Sequence, residues 1–229
     1  MSSKTKYVQG LSPDAYVSND IERLEDKYVF QKHWSFVGFR SDVASHNDFL
    51  SLKIGGVPVV VQNFSGELRA FSNICTHRRS TLQMSDCGNR KLSCPYHGWT
   101  FNKDGLPIGI PDNENSFGID KANLGHHALT SYSLELCGNF VFVRIAPQGE
   151  GLQAFLGEKW GLLEHLSTIM TDEIASQKMP WKANWKIGVE SVLEIYHLGP
   201  VHPLTFKNFT KSRWDCAAHG RHSTGHTDL

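Results

Sequence analysis

Apolar positions gather in short runs rich in Val, Ile and Phe, each closed by a polar or glycine-containing turn. Five runs extend from Phe49 to Ile54, Val57 to Asn63, Leu68 to Asn73, Tyr132 to Leu136 and Phe140 to Ile145. The pairs Gly55-Gly56, Ser65-Gly66, Asp104-Gly105 and Gly138-Asn139 suit tight hairpin turns. From Phe36 onward the pattern therefore predicts an antiparallel β domain. Ahead of it, Ile21, Leu24 and Tyr28 fall on one face of a helix predicted near Ser18 to Trp34, capped by Ser18 or Asn19 and expected to pack on the sheet. Near Pro147 the texture changes. A turn-rich joint, Gln148-Gly149-Glu150-Gly151, is followed by Leu152, Phe155, Trp160, Leu163 and Leu166 at roughly helical spacing. This places a domain boundary near residue 147, giving domains 1–147 and 148–229. The sequence shows no internal repeat.

Composition narrows the classes. The 229 residues are 40% hydrophobic and 20% charged, the profile of a soluble globular chain. Basic and acidic residues balance at 23 each, so no net charge favours nucleic acid. The N-terminus has no apolar secretory core, and no apolar run reaches membrane-spanning length. Five cysteines, an odd number, argue against a disulfide framework and for a reducing, cytoplasmic setting. Cys87, Cys137 and Cys216 lack matched partners and read as buried structural thiols. His46, His126, His127, His219, His222 and His226 read as surface or hydrogen-bonded residues.

Two stretches carry chemistry. The first, Cys75 to Trp99, contains the pairs Cys75-x-His77 and Cys94-x-x-His97, sixteen residues apart. Paired soft or borderline ligands on loops between strands suit zinc or an iron-sulfur centre. Tyr96 and Trp99 read as packing aromatics beside the metal loop. The second stretch is WKANWKIGVESVLEIYHLGPVHP, from Trp181 to Pro203. A helix would align Glu190, Glu194 and His197, with Gly199 and Pro200 ending it and returning His202. Two imidazoles suit a two-histidine, one-carboxylate ferrous site, with Glu190 and Glu194 able to hold ligands from behind. The plainer alternative is a solvated acidic helix face with incidental histidines.

Together, C-T-H-R, C-P-Y-H-G-W, N-W-K, E-x-x-x-E-x-Y-H and H-P resemble the catalytic α subunits of Rieske non-heme iron (ring-hydroxylating) oxygenases. The resemblance implies an α+β chain: an antiparallel β Rieske domain, then the start of an α+β, helix-grip catalytic domain. It implies a 2Fe-2S cluster with Cys75 and Cys94 on one iron and His77 and His97 on the other. It also implies a mononuclear Fe(II) on His197 and His202. Its third ligand, a downstream carboxylate, has no counterpart here, since only Asp215 and Asp228 follow His202. Glu194 matches the carboxylate that links the iron site to a Rieske histidine of a neighbouring subunit in a trimer. Ser191 replaces a frequent asparagine, and Arg79 a frequent small residue. The implied partners are a ferredoxin or flavin reductase drawing on NAD(P)H, O2 and a small organic, possibly aromatic substrate, with neither nucleic acid nor membrane. The expected reaction is mono- or cis-dihydroxylation or oxidative demethylation by what looks like the front half of an α subunit. The alternatives are a Rieske electron-transfer module, or a non-catalytic homologue that lends its cluster to a complete subunit.

Overall fold

The computed structural model describes residues 10–170, 179–205 and 214–227. The chain forms two compact units, Arg23–Asp172 and a second combining Met1–Glu22 with Glu173–Leu229. At the N-terminal end, α1 (Asp14–Val17) and α2 (Asn19–Glu25) precede a π-helical turn at Asp26–Phe30. The single helix expected over Ser18 to Trp34 is thus interrupted, and its expected packing face differs. Leu24 and Tyr28 are more than half exposed, and the anchors are instead Phe30 and Trp34. The widened turn makes room for a hairpin. Gln31 donates Nε2 to the Gly55 carbonyl at 2.6 Å, and a Cβ at Gly55 would stand 2.6 Å from the Asp26 carbonyl oxygen.

The larger unit is built on an antiparallel sheet. Its strands in chain order are β1 (Ser35–Phe39), β2 (Asp48–Ile54), β3 (Val57–Phe64), β4 (Glu67–Ser72), β5 (Cys87–Asn89), β6 (Thr100–Phe101), β7 (Pro107–Gly109), β8 (Ser131–Cys137) and β9 (Phe140–Arg144). Seven pair in the order β1-β9-β8-β4-β3-β2-β5, and β6 and β7 form a separate hairpin. All four predicted turn pairs fall between paired strands. Gly55, Gly56, Ser65, Gly66, Gly105 and Gly138 adopt the positive φ that such turns need.

The sheet is buried on both faces, so period-two alternation sorts apolar residues into two cores. On β3, Val60 joins Phe49, Phe71, Leu82, Leu92, Trp99 and Phe101 on one side, while Val59 and Val61 face Val43, Ala70, Val141 and Val143. All three valines are fully buried, each contributing about 1.5–3 kcal/mol by leaving water. A third core covers the other end. Phe140 and Phe142 of β9 pack with Trp34, Cys137, Leu152 and Leu156 beneath α4 (Leu152–Leu156) and α5 (Trp160–Ile169). A short α3 (Asn113–Ser116) lies in the β7–β8 connection.

In the second unit α6 (Trp185–Val192) is capped by Asn184, whose side chain accepts from the Lys186 N–H at 3.1 Å. The helix α7 (Leu198–Val201) follows, then the hairpin of β10 (Trp214–His219) and β11 (His222–Thr227). The helix expected to carry Glu190, Glu194 and His197 stops at Val192, before the last two. Gly199 and Pro200 do not end a helix but lie inside α7, where a first-turn proline costs no hydrogen bond. Among the described residues no helix is long and apolar enough to cross a membrane.

Candidate functional site

In the larger unit both Cys-His pairs sit on loops with one shared backbone design. The Cys75 N–H donates to the Ser80 carbonyl at 2.8 Å and the Arg79 N–H returns to the Cys75 carbonyl at 3.0 Å. Nineteen residues on, the Cys94 N–H donates to Trp99 at 2.8 Å and the Gly98 N–H returns to Cys94 at 3.0 Å. The bridges Ile74↔Thr81 and Ser93↔Thr100 close the two stems in the same way. Arg79 (φ 60°) and Gly98 (φ 73°) occupy the equivalent left-handed position. This internal repeat was invisible in the sequence because hydrogen bonds define it, and CTHRRS and CPYHGW share only their cysteine in register.

The loops bring four donors into one apolar nest. Cys75 and Cys94 belong to the core with Leu82, Leu92 and Trp99. The rings of His77 and His97 stand 4.7 Å apart between centroids. Trp99 stacks flat on His77 at 5.0 Å, and Phe117 meets both rings edge-on. Trp99 is the buried packing aromatic expected, whereas Tyr96, 59% exposed, lies against His97 on the open side.

The electrostatics favour metal-ready ligands. The Nδ1 atoms of His77 and His97 are buried and have no hydrogen-bond partner among the described residues. A buried imidazole nitrogen without a partner costs about 1–3 kcal/mol, and a metal bond removes that penalty. Burial, followed by the neighbouring His97 and Arg78, holds His77 below its ordinary value, in the neutral ligating form. Burial pushes Cys75 up to about 11, whereas Cys94 is lowered because backbone N–H groups of His97 and Tyr96, with Cys75 and Ser80, outweigh its burial. Backbone N–H groups of His77 and Arg78 serve Cys75 likewise. Such donors to sulfur are one lever that sets a cluster's potential.

Two thiols and two unpartnered imidazole nitrogens fit a Rieske cluster. Among the described residues no group of three or more His, Cys, Asp or Glu side chains could hold one metal ion. A 2Fe-2S centre needs only two protein donors per iron, because sulfide supplies the rest.

In the second unit, the chain beyond α6 positions the other motif. Glu194 binds His197 twice, its Oε2 accepting the backbone N–H at 3.2 Å and its Oε1 meeting ring Nδ1. The bond to His197 is the main cause holding the Glu194 carboxyl below its ordinary value. An Nδ1–H given to a carboxylate leaves Nε2 as the free lone pair, the tautomer a metal ligand needs. The His202 ring lies 5.7 Å from that of His197. Glu190 is elsewhere, its Oε1 accepting from the Tyr16 hydroxyl at 2.7 Å. Asp215 lies on β10 with its side chain outside the described residues, and Asp228 lies outside them altogether.

The remaining thiols divide. Cys137 is buried as expected, but Cys87 and Cys216 are exposed, because β5 is an edge strand and β10 belongs to an isolated two-stranded hairpin.

Models of two domains match this chain in succession: the Rieske [2Fe-2S] domain over residues 33–133, and the catalytic domain of the ring-hydroxylating alpha subunit over residues 170–228. The chain belongs to the Rieske non-heme iron oxygenase α-subunit family. Members of this family combine a Rieske cluster with a mononuclear iron. The glycine betaine monooxygenase oxygenase subunit of Chromohalobacter salexigens is 33% identical over 79% of this chain and 40% of its own length. The carnitine monooxygenase oxygenase subunit of Acinetobacter pittii is 31% identical over 82% of this chain and 51% of its own. The chain thus spans about half the length of these relatives or less. A crystal structure of the quaternary ammonium Rieske monooxygenase CntA with L-carnitine superposes with a TM-score of 0.81 at 26% identity, covering 96% of this chain and 67% of that one. Naphthalene 1,2-dioxygenase with indole gives 0.71 at 27% identity, covering 84% and 44%.

Proposed function

We propose that this chain works as a Rieske oxygenase α subunit, with Cys75, His77, Cys94 and His97 holding a 2Fe-2S cluster and His197 and His202 contributing to a mononuclear Fe(II) site. The observation that carries the reading is the pair of buried, unpartnered Nδ1 atoms beside two buried free thiols. When bound, the two centres supply one-electron transfer and O2 activation. The chain's own residues do the rest. Backbone N–H groups stabilise both sulfurs, Trp99 and Phe117 pack against the His77 ring, and the exposed Tyr96 lies against His97. Glu194 fixes the orientation and tautomer of His197.

Electrons come from NAD(P)H through a flavin reductase or ferredoxin, the assembly is a homotrimer, and the setting is cytoplasmic. The substrate is a small organic molecule that is hydroxylated or oxidatively demethylated. The similarity to glycine betaine and carnitine monooxygenases favours a quaternary ammonium compound over an aromatic ring.

Iron and acid-labile sulfide content with EPR of the dithionite-reduced protein tests the cluster. The expected result is two sulfides per chain and a rhombic histidine-ligated signal, and zinc without sulfide overturns the reading. A third iron per chain together with substrate-dependent O2 uptake separates an oxygenase from an electron-transfer module.

A further inference from the structure

Beneath the two ligand loops lies a group of buried amides that no metal ligand uses. Gln62, Gln83 and Asn73 are 0%, 1% and 2% exposed. Gln83 immediately follows the stem of the first loop, where the Leu82 N–H bonds the Asn73 carbonyl. It is locked to that stem in both directions: its N–H donates to Asn73 Oδ1 at 2.8 Å, and its carbonyl accepts from Asn73 Nδ2 at 2.8 Å. Its side chain reaches to the second loop. One N–H of Nε2 is shared between the carbonyls of Arg90 and Lys91 at 3.2 and 3.3 Å, directly before the stem at Leu92, and Oε1 accepts from Arg90 Nε at 2.9 Å. The Arg90 guanidinium closes the ring by donating to the Leu82 carbonyl. Gln62 fastens the assembly to β3. Its Oε1 takes a further bond from Gln83 Nε2 at 3.0 Å, and its Nε2 donates to Asn47 and Arg90 carbonyls at 3.0 Å.

Each ligand loop supplies one cysteine and one histidine, so each iron takes one ligand from each loop, and the separation of the loops sets the distance between the two cysteines on one iron and between the two histidines on the other. We propose that Gln83, seated on Gln62 and clasped by Arg90, is a positioning residue that fixes this separation and thereby cluster retention and electronic structure. A buried amide network with every member satisfied has a unique geometry that an apolar plug of the same volume lacks. The inference rests on the assignment of Cys75, His77, Cys94 and His97 as cluster ligands.

The test compares Gln83→Met and Gln62→Met with Asn63→Met in the full chain. Asn63 is an equally buried amide on β3 whose side chain bonds Val43, Ala44 and Gly66 and neither loop stem. The readouts are the g-values and linewidth of the reduced cluster's EPR signal and the rate of bleaching by a chelator. The expected result is shifted g-values and bleaching at least fivefold faster in Gln83→Met, a smaller change of the same kind in Gln62→Met, and the wild-type signal in Asn63→Met despite lowered stability. If Gln83→Met does not fold, the Gln62→Met and Asn63→Met pair decides. Wild-type g-values and bleaching in both glutamine variants, or an equal change in Asn63→Met, would overturn the proposal. Absence of sulfide and signal in the wild type would instead overturn the cluster assignment.

Discussion

Glu194 grips His197 at both its backbone N–H and its ring Nδ1, three residues apart on a chain that has already left α6. The carboxylate replaces helix hydrogen bonds with a side-chain cap, which lets His197 turn out of register with α6. Glu194→Gln keeps the shape but removes the charge that makes Nδ1 the protonated nitrogen. Loss of such an outer partner typically costs 10–100-fold in metal affinity. We expect that loss in a Co(II) titration of the His197 and His202 site, with the Rieske EPR signal unchanged. An affinity within twofold of wild type would show that Glu194 does not set the tautomer.

Arg79 occupies the left-handed position that glycine fills in the equivalent loop at Gly98. A side chain there costs about 1–2 kcal/mol, part of which glycine returns as unfolded-state entropy. Arg79→Gly is therefore expected to stabilise by roughly 0.5–1 kcal/mol. Gly98→Ala is expected to destabilise by at least as much, since its Cβ would also stand 3.1 Å from Pro111 Cγ. Thermal melts of both cluster-loaded variants, moving in opposite directions, check the loop equivalence.

The hairpins and the placement of the Cys-His pairs on loops were legible because each is local. Gly55-Gly56 dictates its turn whatever surrounds it, and a Cys-x-x-His pair needs only one loop. Partnerships across the fold were not. Nothing in the sequence near Gln83 signals that it meets Gln62 and Arg90, because those bonds depend on the register between β3 and two loops. Helix periodicity also misled beyond Val192. It aligned Glu190 with Glu194 and His197, whereas a carboxylate able to cap its own chain competes with the helix for the same N–H groups.

Gly138 turns β8 into β9 against α5. The Asn139 N–H donates to Ser167 Oγ at 2.9 Å, and a Cβ on Gly138 would fall 1.9 Å from that oxygen. Its φ of 55° adds strain for any L-residue. Gly138→Ala is expected to cost at least ~2 kcal/mol in urea unfolding. Adding Ser167→Gly should recover part of it by removing the clash while leaving the strained φ.

Tyr16 donates to Glu190 within the second unit, and that bond, ahead of burial and the carboxylate charge, raises the phenol above its ordinary 10.0. A raised folded pKa means the contribution is complete below the unfolded value of about 10 and disappears as pH climbs through the folded one. The stability difference between wild type and Tyr16→Phe should stay constant from pH 7 to about 9.5 and close at higher pH. A gap unchanged well above the folded pKa would assign Tyr16 to packing alone.

The five cysteines should react with a thiol reagent in an order set by exposure and thiolate fraction, since the thiolate is the nucleophile. Cys87 and Cys216 are exposed and should react at once in the cluster-loaded protein. Cys137 is fully buried, gives its S–H to the Trp160 carbonyl at 3.6 Å, and is raised by burial and then by Glu164. It should react only on unfolding. Removing the cluster under native conditions should release two more thiols in sequence. Cys94 comes first, because backbone N–H groups lower it, and Cys75 follows, because burial holds it near 11. Raising the pH from 7 to 9 should therefore speed Cys75 more than Cys94. Mass spectrometry of the labelled peptides distinguishes the order, and Cys75 labelling ahead of Cys94 would mean that the shared proton of the pair sits on Cys94 instead.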